Sequence, residues 1–245
     1  MSRGRSAYSR WLAALGALFA IWFAVLAIDP VSRSTWLLEN ALVFAFVLGL
    51  AASFRSFSFS RVSYTLMFAF LCLHEIGCHY TYSEVPYDAW FERWTGVTLN
   101  SLLGWERNHF DRMIHFAYGL MLTYPIREVF LRVATVRGIW GYLLPLDVAM
   151  STSLLYELIE WWASIVFGGD LGQAYLGTQG DVWDAHKDMA LAALGALIAM
   201  LSTLAINLAL QRDFAAEWAE SLRVKGKRPL GEQRLAEMLA ERESD

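Results

Sequence analysis

The chain has 245 residues, of which 56% are hydrophobic, 15% aromatic and only 18% charged. Soluble domains carry about a quarter charged residues. Here fifteen of the 44 charges fall in the last 35 positions, so the first 210 residues are too apolar for a water-facing surface. The net charge of −4 argues against nucleic acid as a partner. The two cysteines, Cys72 and Cys78, would lie about 9 Å apart along a helix, too far for a disulfide.

A membrane span needs roughly 20 apolar residues. The first such run, Trp11 to Ile28, is closed by Asp29-Pro30. No clear small-x-small cleavage site follows it, so it reads as a retained helix rather than a signal peptide. The second span is predicted over Trp36 to Ser53. The third starts near Val62, stays apolar to Leu73 and then turns polar through His74-Glu75-Ile76-Gly77-Cys78-His79-Tyr80. The segment 81–108, with Trp90, Trp94 and Trp105, reads as a partly helical interfacial loop, because amphipathic rings suit the headgroup region. A fourth helix is predicted over His109 to Phe130, a fifth over Ile139 to Phe167 ending at Gly168-Gly169, and a sixth over Val182 to Leu210. The charged tail 211–245 reads as helical and cytoplasmic, broken at Arg228-Pro229-Leu230-Gly231.

The fold class expected is therefore all-α: a polytopic membrane bundle of about six spans, residues 1–210, followed by the tail. Lys and Arg set the orientation. With the N-terminus inside, the inner segments hold fifteen of them and the outer ones five, namely Arg33, Arg93, Arg107, Arg112 and Lys187. Both termini are placed in the cytoplasm on this reading.

All five histidines (His74, His79, His109, His115 and His186) then lie near the outer helix ends, and so do several acids. Glu75 and His79 share a helix face, as do Asp111 and His115. Glu157 and Glu160 are three apart on the fifth helix. On the sixth, Asp181 and Asp184 are three apart and Asp188 follows four later. At 1.5 Å per residue, Glu160, His115 and Asp188 sit roughly 10 Å below the outer surface. Carboxylates at that depth cost a few kcal/mol unless they find partners. Three kinds of partner fit. One is a divalent metal held by inward-facing His and carboxylate side chains, for which an oxygen-rich donor set suits Zn, Mn, Fe or Mg. Another is acid/base chemistry between carboxylate and imidazole. The last is structural pairing with Arg112, Lys187 and helix ends. Expected metal ligands are His79, Asp111, His115, Glu160, Asp181 and Asp184. Expected catalytic groups are Asp111, His115, Glu157, Asp184 and Asp188. His109 reads as a solvated helix start, His74 as a contact to loop backbone, Glu39 as a cap or a vestibule residue, and Asp147 as buried on the inner half of the fifth helix. Gly119, Gly195 and the Ala-rich stretch 190–199 read as close-packing positions.

Several runs resemble the YjdF family of bacterial inner-membrane proteins. They are Asp29-Pro30, Trp36-Leu37-Leu38-Glu39-Asn40, Gly77-Cys78-His79-Tyr80-Thr81-Tyr82, Asp111-Arg112-Met113-Ile114-His115-Phe116, Glu157-Leu158-Ile159-Glu160-Trp161 and Gly177-Thr178-Gln179-Gly180-Asp181-Val182-Trp183-Asp184. The resemblance covers about residues 25 to 205 and implies a multi-pass inner-membrane location, with no particular activity. A fainter similarity to VanZ-like membrane proteins, from which Asp188 departs, hints at a lipid or envelope glycoconjugate. The reading that follows is a metal-assisted or acid/base hydrolase or transferase for a lipid or lipid-linked substrate at the outer leaflet, with membrane lipids as neighbours and loop 81–108 as a lid. A transporter and a non-catalytic accessory subunit are the alternatives.

Overall fold

The computed structural model describes residues 2–169, 172, 178–210, 214–223 and 238–242. Helices α1 (Ser2–Leu26), α2 (Arg33–Ser53), α3 (Arg61–Tyr80), α6 (Phe110–Arg132), α7 (Trp140–Phe167) and α8 (Asp184–Leu210) form the bundle. Two short helices, α4 (Tyr87–Thr95) and α5 (Leu99–Leu103), occupy the connection between α3 and α6, and α9 (Phe214–Ser221) follows α8. The segment 81–108 is thus partly helical, as expected. Gly177 and the run Arg228–Gly231 lie outside the described residues.

Among the described residues, four helices, over Ala7–Leu26, Arg33–Ser53, Trp140–Phe167 and Asp184–Leu210, are long and apolar enough to cross a membrane. Helices α3 and α6 have 20 and 23 residues, roughly 30 Å or more at 1.5 Å per residue, but carry more polar side chains. Their place in the bundle accounts for this. Helix α6 packs against α3, α7 and α8, while α1 and α2 rest on α3. The most polar long helix is therefore wrapped by apolar ones, and residues such as Leu154, Leu158, Trp161 and Ile165 of α7 face outward.

Contacts at both ends show successive long helices running in opposite directions. At one end, Val31 N–H donates to His79 O (2.9 Å) and Arg107 donates to Thr178 O (2.7 Å). At the other, the Glu128 carboxylate accepts from Ser60 N–H (2.9 Å), Ser63 Oγ (2.5 Å) and Arg132 (2.6 Å). Ile139 N–H there donates to Ser221 Oγ (3.2 Å), so the chain after α8 begins by docking on the bundle. Side chains cap two of these helices: Ser32 Oγ accepts from Thr35 N–H at the start of α2, and Ser60 Oγ from Ser63 N–H at the start of α3.

Two placements differ from expectation. Helix α8 starts at Asp184, so Asp181 sits in the turn before it, where its Oδ1 accepts Trp183 N–H at 3.0 Å. Asp147 is exposed rather than buried, since α7 turns that face away from its neighbours.

The contact between α6 and α8 is set by glycine. A Cβ on Gly119 would overlap the backbone of Ala192 and Ala196, and one on Gly195 would overlap Phe116 O. Backbone touches backbone there, the close approach that small residues permit between membrane helices. Gly119→Val and Gly195→Val should each cost more than the roughly 1–3 kcal/mol of ordinary core overpacking. Gly16→Ala, inside α1 with nothing within 4 Å, should not destabilise, since Ala is the better helix former. Thermal unfolding of detergent-purified protein, followed by size-exclusion recovery, reads the difference. Full recovery of either Val variant would show that the helices have room to part.

Candidate functional site

The polar layer lies at the end of the bundle where α6 and α8 begin and α3 and α7 end. It divides into a part whose charges are matched and a part whose charges are not.

The matched part is built around the start of α6. Arg107 donates from Nη2 to Asp184 Oδ2 (3.1 Å), and its Nη1 lies 2.9 Å from Asp184 Oδ1. Arg112 Nη2 donates to Asp181 Oδ2 (2.5 Å) and Asp184 Oδ1 (2.9 Å), and Lys187 Nζ donates to Asp181 Oδ2 (2.5 Å). Next to them, Asn108 N–H donates to Gln179 Oε1 (3.1 Å) and Gln179 Nε2 donates back to Asn108 O (3.0 Å). The run Thr178-Gln179-Gly180-Asp181-Val182-Trp183-Asp184 therefore clamps the entry of α6 to the entry of α8. The Lys187 hydrogen bond, then Trp183 N–H and Arg112, hold the Asp181 carboxyl well below the usual carboxylate range. His109, at the N-cap of α6, has an Nδ1 that accepts from Arg112 at 3.1 Å. Burial, with Arg112 and Arg107 beside it, pushes that imidazole below its usual value.

Deeper in the bundle the matching fails. His115 Nε2 lies 3.4 Å from Glu157 Oε1 and 3.7 Å from Asp111 Oδ1. Asp188 reaches the same place from α8: ligand atoms of Asp111, His115 and Asp188 all lie within 4.8 Å of one another. Glu157 Oε1 and Asp188 Oδ1 are buried without a hydrogen-bond partner. Glu160 is buried within electrostatic reach of Asp111, Glu157, Glu39 and Asp188. Tyr156 carries the layer on to α2 by donating to Glu39 Oε2 at 3.0 Å. Carboxylates thus outnumber the permanent cations Arg107, Arg112 and Lys187 in this region. Such an excess is met inside a low-dielectric bundle by protons on the carboxyls or by a bound cation. Donors round a tetrahedral zinc sit roughly 3.4 Å apart, so Asp111, His115 and Asp188 reach an ion after small side-chain shifts.

A cavity of about 210 Å³ opens beside this group. Leu42, Val43 and Phe46 of α2, Phe70 and Leu71 of α3 and Leu122 of α6 form its apolar walls, and Asp111, His115, His74 and Tyr156 its polar lining. Leu42 and Phe46 are themselves exposed, so the cavity reaches the outer face of the bundle at α2.

Of the residues singled out from sequence, the structure brings together Asp111, His115, Glu157, Glu160, Asp184 and Asp188, with Asp181 at the edge. It does not bring His79 to them: its Nδ1–H donates to Leu26 O at 2.8 Å and its ring meets Tyr80 edge-on. His186 is exposed beside Trp183. His74 does not contact loop backbone as its spacing had implied. Its Nδ1 is hydrogen-bonded to the Tyr82 hydroxyl, because the chain folds back after Thr81 (φ 57°). Sequence reasoning missed Arg107 as a clamp residue, and it missed Tyr156 and Tyr82. Adjacency of Tyr156 to Glu157 was the available signal for one of them.

This is a polytopic helical membrane protein with a layer of ionisable side chains at one end of its bundle. The chain belongs to the family described as "Predicted membrane protein (DUF2238)", which matches residues 11–208. It is 37% identical over 171 residues to "Inner membrane protein YjdF" of Escherichia coli (strain K12), covering 69% of this chain and 77% of that one. No solved structure matches it. These findings bear out the YjdF resemblance and do not show the similarity to VanZ-like proteins.

The clamp predicts a pH signature. A carboxyl whose pKa is depressed by folding stabilises the fold fully above its unfolded value of about 3.9. That contribution is lost as pH falls towards the folded value. Asp181→Asn should therefore lower the Tm by a constant amount from about pH 8 to pH 5, and the gap should narrow below about pH 4. A gap that widened in acid would contradict the clamp.

Proposed function

We propose that this protein is a membrane-embedded hydrolase or transferase acting on a lipid or lipid-linked envelope substrate. The observation that carries the reading is the cavity. It is apolar along its length, it reaches the outer face of the bundle, and it has Asp111 and His115 in its lining. An amphiphile fits such a space with its hydrocarbon chain against α2 and α3 and its polar group against the imidazole. His115 then handles the proton at Nε2, with Asp111 and Glu157 both beside that nitrogen to stabilise the imidazolium. The separations of 3.4 and 3.7 Å are of the loose kind common before substrate binds. Asp111, His115 and Asp188 offer a site for a divalent ion, which would supply an activated water there. Asp184 and Asp181 act through the clamp, by fixing where α6 presents Asp111 and His115.

The same reading takes α3 and α6 as spans beside the four more apolar helices, giving six, with both termini cytoplasmic and the ionisable layer periplasmic. Its support is the Lys and Arg asymmetry of the connections. Residues 1–210 are then the membrane domain and 211–245 a cytoplasmic tail.

The test is turnover of radiolabelled bacterial envelope lipids by protein reconstituted into vesicles, resolved by thin-layer chromatography. His115→Ala and Asp111→Asn should each cut the rate about 10²–10⁴-fold, as loss of a general acid/base does, with folded yield unchanged. No lipid conversion by wild type, with or without added zinc or manganese, would overturn the assignment.

A further inference from the structure

A second group of ligand-type side chains lies where α2 meets α3, and the proton-handling scheme above does not use it. Atoms of Glu39, His74 and Cys78 lie within 4.8 Å of one another, and all three residues are buried. His74 and Cys78 are four apart on α3 and share a face, α2 brings Glu39 to them, and a turn beyond α3 completes the surroundings. Gly77 has no side chain, and a Cβ there would strike the Tyr82 ring at 2.7 Å. The ring can therefore fold back over the end of α3, with Tyr82 N–H donating to Gly77 O at 2.8 Å. This puts the Tyr82 hydroxyl on His74 Nδ1 and beside the Cys78 thiol. The Tyr82 bond leaves Nε2 as the open nitrogen of His74. Nε2 is buried without a hydrogen bond of normal geometry, next to the Glu39 backbone.

The surroundings point to a ligand independently. Glu75 is 0% exposed and neither of its carboxylate oxygens has a hydrogen-bond partner of normal geometry. Asn40, its polar neighbour, is also 0% exposed, with Oδ1 unpartnered. Buried polar atoms are nearly always satisfied, so orphans on Glu75, Asn40 and His74 together mark a place where a partner is missing.

We propose that Glu39, His74 and Cys78 form a zinc-binding site, distinct from the Asp111–His115–Asp188 group. Thiolate, imidazole and carboxylate are all zinc ligands, and three protein donors leave the fourth tetrahedral position to water. The thiol loses its proton to solvent as the metal binds. His74 Nδ1–H then donates to Tyr82 Oη, and the Tyr82 hydroxyl donates to the Cys78 thiolate. Such outer contacts fix the tautomer and ring orientation of a ligating histidine. A thiolate in the donor set favours zinc over the magnesium and manganese that an all-oxygen site selects.

Cobalt substitution of the full-length protein in detergent tests this, because only thiolate ligation gives the near-ultraviolet sulfur-to-cobalt charge-transfer band. The proposal expects the band in wild type, in Cys72→Ala and in Asp111→Asn. It expects loss of the band in Cys78→Ala and at least a tenfold weaker cobalt affinity in the near-isosteric Glu39→Gln. Elemental analysis of protein purified without chelators should show zinc that falls by about one per chain in Cys78→Ala. Monodisperse Cys78→Ala protein keeps the comparison valid. Should it fail to fold, Glu39→Gln and His74→Gln carry the test. Absence of the band in folded wild type overturns the site whatever the lipid assay gives. A band that persists in Asp111→Asn alongside lost turnover separates the two assignments.

Discussion

An ionised side chain cannot face hydrocarbon without a cost of several kcal/mol, and α6 carries Asp111, Arg112 and His115 within its first two turns. That helix must therefore be enclosed, and its enclosure organises the rest of the molecule. Helices α7 and α8 present apolar faces outward and turn Glu157, Glu160, Asp184 and Asp188 inward, with Asp147 alone of their acids exposed. Gly119 and Gly195 let α8 come close enough for Asp184 and Asp188 to reach the α6 side chains. At the entry of α6, Arg107, Asn108 and Arg112 are tied to the turn before α8 by charge-assisted and amide hydrogen bonds, which are among the stronger contacts a protein makes.

Below the clamp, the same enclosure leaves Glu157, Asp188 and Glu75 with orphaned oxygens. A bundle selected for stability alone would do better with apolar residues at these places, since buried charges seldom repay their desolvation. Concentrated buried carboxylates next to an apolar cavity are the signature expected of a working site. On the proposed reading the two halves of the layer have different roles: the paired half fixes geometry, and the unpaired half is available for chemistry.

Much of this was legible in the sequence. The apolar runs locate α2, α3, α6, α7 and α8 to within a few residues, while α1 begins at Ser2, nine residues before the expected Trp11, and i,i+4 spacing puts Asp111 and His115 on one face. Gly119 and Gly195 were readable as contact points because glycine in a membrane helix has few other uses. Less legible were features that depend on how the chain turns. Asp181 falls outside α8 because its own side chain caps the Trp183 amide, a choice that helical periodicity does not reveal. Spacing from Glu75 groups His79 with the site, yet its imidazole is hydrogen-bonded to Leu26 O at the end of α1. His74 was set aside, and a backbone reversal at Thr81 and Tyr82 brings it a partner from beyond the helix end. Arg107 lies in a loop, where spacing carries no facing information.

The central claim is that the cavity between α2, α3, α6 and α7 takes a hydrocarbon chain and presents its polar end to Asp111 and His115. Native mass spectrometry of the protein released from a mild detergent tests this most directly, comparing wild type with Ser153→Leu, which narrows the cavity from α7. Retention of a lipid by wild type, with loss of that lipid from folded Ser153→Leu, is the result predicted. Equal lipid occupancy in both proteins, or none in either, would contradict it.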